Sequence, residues 1–89
     1  MVVNFNNMKE LYEVLLKLKT IEDCQALFED LCTYKELEQM SQRIAAAKLL
    51  LDGETYEAVI KKTNISSATL SRVSKCVKYG EGYKKFLKE

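Results

Sequence analysis

The chain has 89 residues, 47% hydrophobic and 30% charged, with no proline and no histidine. That length fits one domain spanning residues 1–89 and leaves no room for a second. The net charge of +1 hides an uneven spread: residues 1–54 carry 6 basic and 10 acidic side chains, and residues 55–89 carry 8 basic and 3 acidic ones.

Strand signals are weak, and apolar residues recur at helical spacing. Met8, Leu11, Leu15 and Leu18 form a first stripe. Thr20 offers an N-cap, with Asp23 in the following turn, for a second stripe of Ile21, Cys24, Leu27, Phe28, Leu31 and Cys32. Thr33 and Glu36 have the spacing of a capping box before a third helix. Leu37, Met40, Ile44, Ala47, Lys48 and Leu51 line its inner face, and Gly53 stops it. Ala45, Ala46 and Ala47 permit close approach of another helix, and the leucines at 49, 50 and 51 broaden the apolar surface. A broad surface on so short a chain predicts cover from a second subunit.

Residues 55–77 predict a helix-turn-helix. Thr55 caps a short helix, TYEAVIKKT, whose Val59, Ile60 and Thr63 face inward. Asn64 tolerates a left-handed backbone, Ile65 plugs the angle, and Ser66 caps a second helix over 66–77. Leu70, Val73 and Val77 give that helix its inner stripe, which leaves Ser67, Ala68, Ser71, Arg72 and Lys75 outside. Small side chains let a helix axis approach base edges, where hydroxyls exchange hydrogen bonds, an alanine methyl meets a thymine methyl and an arginine meets guanine. Ser67, Ala68, Ser71 and Arg72 are therefore the expected base readers, and Lys61, Lys62, Lys75 and Lys78 the phosphate contacts. Double-stranded DNA is the expected partner.

The stretch LCTYKELEQMSQRIAAAKLLLDGETYEAVIKKTNISSATLSRVSKCVKYG, residues 31–80, resembles the Trp repressor family and more closely its low-GC Gram-positive relatives. The resemblance implies an all-α helical bundle with a C-terminal helix-turn-helix, intertwined with a second copy as a homodimer. It implies a transcriptional regulator, a repressor, that reads the major groove. It also implies a small-molecule effector pocket of Thr33, Arg43, Arg72, Val73 and Cys76. Two of these depart from the family pattern. Val73 stands where the family has a glycine, and Cys76 where a serine is expected near the ligand's amino group. The turn at Asn64 to Ser66 is also one residue shorter. No cofactor is required, and these departures point away from tryptophan as corepressor.

Three cysteines, Cys24, Cys32 and Cys76, form no C-x-x-C pair, and without histidine they make no common zinc site. Cys24 and Cys32 are expected to be core residues, since free cysteine behaves as a small hydrophobe. Tyr79 and Tyr83 are expected to pack a last helix. The opening MVVNFNNMKE lacks the basic region and apolar run of a signal peptide. The longest apolar run, AAAKLLL, is broken by Lys48, so no membrane span and a cytoplasmic protein are expected. With no nucleophile–base pair and no Gly-rich phosphate loop, an enzyme is not expected. The competing reading is a helical protein–protein interaction module that does not bind DNA.

Overall fold

Side-chain caps set the start of three helices of this chain. The computed structural model describes residues 5–88, with side chains from Met8 onward, so part of the opening segment lies outside the described residues. The helices are α1 (Phe5–Leu15), α2 (Ile21–Leu31), α3 (Tyr34–Leu51), α4 (Tyr56–Thr63), α5 (Ser67–Tyr79) and α6 (Gly82–Leu87), with no strand among the described residues. The all-α expectation holds. Thr20, Thr55 and Ser66 each accept a hydrogen bond from the backbone N–H three residues on, as predicted. Each satisfies one of the donors that a helix start leaves without a partner. At α2 the Asp23 carboxylate also reaches back to the Lys19 N–H, 3.1 Å away.

Contacts divide the chain after Tyr34 into two compact units. In the N-terminal unit α2 has no buried residue, and Leu15, Leu18, Leu27 and Phe28 are half-buried. Ile21 is 82% exposed and Leu31 52%. Cys24 is exposed and Cys32 half-buried, against the expectation that both lie in a core. The physical reason is area: two 11-residue helices supply too little surface to enclose their own apolar stripes.

The core lies in the C-terminal unit. Ala46 and Ala47 of α3, Val59 of α4, Ile65 of the turn, and Leu70 and Val73 of α5 are all buried. The two alanines give α3 a face without bulk, and the larger residues of α4 and α5 complete the cluster. Leu49, Leu50, Val77, Tyr83 and Leu87 pack against it from the edges. Burying Leu70 alone is worth about 1.5–3 kcal/mol. The predicted inner stripe of α3 holds for Ala47 but not for Ile44, which is 47% exposed. Tyr83 packs against the core as expected, whereas Tyr79 is 81% exposed.

The end of α3 is fixed by Gly53, with φ of 89°. The Gly53 N–H donates to the Leu50 carbonyl and the Glu54 N–H to the Leu49 carbonyl, each at 3.0 Å. These paired bonds form a Schellman motif, whose left-handed position suits glycine. A Cβ at Gly53 meets nothing within 4 Å, so the constraint is dihedral and not steric. Gly53→Ala should therefore destabilise the protein by about 1–2 kcal/mol, read as a lower urea midpoint with unchanged slope. An unchanged midpoint would show that the α3–α4 corner does not need the left-handed backbone.

Candidate nucleic-acid interface and adjoining pocket

The helix-turn-helix is built from α4, a three-residue turn and α5. Asn64 ends α4 in the left-handed conformation, φ 61° and ψ 23°, with its N–H on the Ile60 carbonyl. Ile65 is buried in the angle between the helices, at 4% exposure. Thr63, expected to face inward, is half-buried. Its hydroxyl donates to the Val59 carbonyl at 2.7 Å and accepts from the Ile65 N–H at 3.3 Å, so a polar side chain holds the corner. The Gln42 amide of α3 donates to the Thr63 carbonyl at 3.3 Å and ties the turn to the long helix. Tyr56 at the start of α4 donates its phenol proton to Ser74 in the middle of α5. Ser74 is buried, and this bond satisfies it. Neither of these two cross-links has a local sequence pattern, and they were missed for that reason. Of the two adjacent residues expected to face inward, Val59 is buried and Ile60 is 36% exposed.

The residues expected on the outer side of α5 lie there. Ser67, Ala68, Ser71, Arg72, Lys75 and Lys78 are all exposed. At about 3.6 residues per turn they share one side of the helix, opposite Leu70 and Val73. α5 contains no acidic residue, and its hydroxyl-bearing half precedes its cationic half. Lys61 and Lys62 are exposed in the last turn of α4. Lys62 pairs with Glu54, and with the lysine side chain 54% exposed this pair is weak. It is worth at most about 1 kcal/mol and does not prevent Lys62 from turning to another anion. Beyond α5, Lys84 donates to the Lys78 carbonyl at 2.8 Å, a cationic cap on the helix end. Gly80 makes the corner: a Cβ there would stand 2.7 Å from the Cys76 carbonyl oxygen.

Four of the five expected effector residues meet. Arg43 of α3 and Arg72, Val73 and Cys76 of α5 line one concavity of about 370 Å³. Met40 and Ile44 of α3 and Tyr83 of α6 complete its walls, and no local pattern in the sequence points to them. Val73 is at once a wall of this concavity and a core residue, at 2% exposure. Thr33 belongs to the N-terminal unit and is exposed. Among the described residues neither Arg43 nor Arg72 has an ion-pair partner. Arg43 also borders a second, polar concavity of about 330 Å³ beside Gln39, Asn64, Ser66 and Thr69. Among the described residues no cluster of metal-ligating side chains occurs, and no helix is long and apolar enough to cross a membrane.

A family model for the Trp repressor protein matches residues 6–89. The chain belongs to the Trp repressor family. YerC, an uncharacterized protein of Bacillus subtilis (strain 168), is 40% identical over 73 residues, covering 82% of this chain and 70% of YerC. A crystal structure of a candidate Trp repressor from Staphylococcus aureus superposes with a TM-score of 0.89 at 34% identity, over 94% of this chain and 85% of that one. A TrpR-like protein from Eubacterium eligens ATCC 27750 gives a TM-score of 0.87 at 36% identity, over 92% and 86% of the two chains. The helix-turn-helix is thus part of a Trp repressor fold.

Proposed function

We propose that this member of the Trp repressor family is a sequence-specific double-stranded DNA-binding regulator, a repressor that acts as a homodimer and reads the major groove with α5. The observation that carries this reading is the outer face of α5. Its small N-terminal side chains let the helix axis approach the floor of the groove, and its cations flank them. Ser67, Ala68, Ser71 and Arg72 read base edges, and Lys61, Lys62, Lys75 and Lys78 neutralise phosphate. Val73 supports a reader that works without tryptophan. It is buried on the inner side of α5, so the helix is already held from within.

Support for the homodimer comes from the exposed apolar side chains of α1 and α2, among them Leu11, Ile21 and Leu31. These side chains offer a second copy apolar area that a single chain leaves in water. A two-fold dimer presents two readers about 34–36 Å apart, one turn of DNA, so its site holds two related half-sites. Sedimentation equilibrium at low micromolar concentration should give the mass of two chains. The mass of one chain across the range would remove the dimer.

Two substitutions separate positioning from reading. Duplexes recovered by the purified protein from a random-sequence pool supply the substrate. Lys75→Ala should weaken all of them alike and reduce the slope of log affinity against log salt by about one per subunit. Ser71→Ala should instead reorder the half-sites at roughly constant slope. Tryptophan added to the same titrations should change affinity less than about tenfold, 1.4 kcal/mol. If Ser71→Ala leaves both ranking and affinity untouched, α5 is not the reader; if no duplex is recovered at all, the protein-interaction reading takes its place.

A further inference from the structure

We infer that Tyr56 is a positioning residue: its bond to Ser74 sets the roll of α5 about its own axis, and through that roll the choice of DNA sequence. The effect on DNA rests on the proposed reading by α5 and adds a determinant of sequence choice that lies off the reading face. Ser74, at 4% exposure, is the one buried polar side chain among the described residues. The rest of the core in that unit is apolar. The partner of Ser74 is the hydroxyl of Tyr56, the first residue of α4 and 18 positions earlier in the chain. Tyr56 is 45% exposed, so it is no core anchor by area, yet its hydroxyl reaches a buried group.

Apolar packing and a hydrogen bond restrain a helix differently. Burial of Leu70 and Val73 keeps α5 on the core, but the hydrophobic effect has no direction. A hydrogen bond weakens steeply with distance and angle, and a satisfied buried one rigidifies the arrangement that makes it. Ile65 and the Gln42 bond to Thr63 hold only the first end of α5. Ser74 lies about two turns further along. Side chains end about 5–6 Å from a helix axis, so a roll of about 20–25° carries them about 2 Å. A hydrogen bond to a base edge tolerates about 0.5 Å of such movement. Ser67, Ala68 and Ser71 are too short to follow, whereas Lys75 and Lys78 reach phosphate on flexible four-carbon stems. Loss of the Tyr56 bond therefore costs discrimination between sequences before it costs affinity for DNA as such.

Two variants of the full chain separate positioning from stability. Tyr56→Phe keeps the ring and leaves Ser74 buried without its partner. Tyr56→Phe combined with Ser74→Ala removes both polar ends, which relieves the cost of an unsatisfied group but does not restore the bond. Affinities are compared at a temperature where circular dichroism shows every protein fully helical. The ratio of affinities for a selected duplex and a scrambled one should fall about tenfold in both variants. The scrambled duplex should be bound as before, with the same salt slope. A double variant that discriminates like the unaltered protein overturns the inference, because the bond then supplies stability alone. Residual dipolar couplings of the free protein report the roll of α5 against α4 without DNA. They should change in the double variant, and identical couplings overturn the inference whatever the duplexes show. If the unaltered protein binds no duplex and the couplings still change, the regulator is refuted and Tyr56 stands as the residue that orients α5.

Discussion

Between Thr63 and Ser67 the chain has three residues in which to turn from one helix into the next, and each of them carries part of the work. Asn64 accepts the left-handed backbone that ends α4. Ile65 fills the angle and joins the core, a burial worth about 1.5–3 kcal/mol. Ser66 caps α5 and sets its start. Around this turn Thr63 satisfies two backbone groups, Gln42 fastens the turn to α3, and Tyr56 holds Ser74 on the far side of α5. With its inner face so restrained, α5 presents its outer face at a fixed angle. A helix that is to enter a groove needs that rigidity before it needs any particular polar contact.

The same helix serves two surfaces. Its outer side holds the small and cationic residues proposed to meet DNA, and its flank supplies Arg72, Val73 and Cys76 to the concavity beside α3. A ligand there would touch α5 directly, and it would change the proposed DNA affinity only by binding two states of the helix unequally, since occupancy alone changes nothing. Val73 matters because it belongs to the core as well as to the concavity. In this protein the helix is braced from within by its own side chain.

Much of this was legible in the sequence, and for local reasons. Thr20, Thr55 and Ser66 cap helices through bonds spanning three residues, and Asn64 turns through its own dihedral angles, so short patterns reveal them. The meeting of Arg43 with Arg72 was legible only through resemblance to a family, because no periodicity links α3 to α5. What failed was non-local. Cys24 and Ile44 have the hydrophobicity and spacing of core residues, yet they are exposed because burial depends on which element supplies the cover. Ile60 and Val59 are adjacent and both apolar, and only the crossing of α4 with α5 decides which is enclosed. The bonds of Tyr56 to Ser74 and Gln42 to Thr63 join residues 18 and 21 positions apart, beyond any local signal.

The proposed role of α5 is tested most directly by amide chemical-shift mapping of the labelled protein titrated with a selected duplex. The largest changes should fall at Ser67, Ala68 and Ser71, with smaller ones at Lys61, Lys62 and Lys75, and the buried amides of Ala46 and Ala47 should stay still. Changes confined to α1 and α2, with α5 silent at saturation, would contradict the assignment of this helix as the reader.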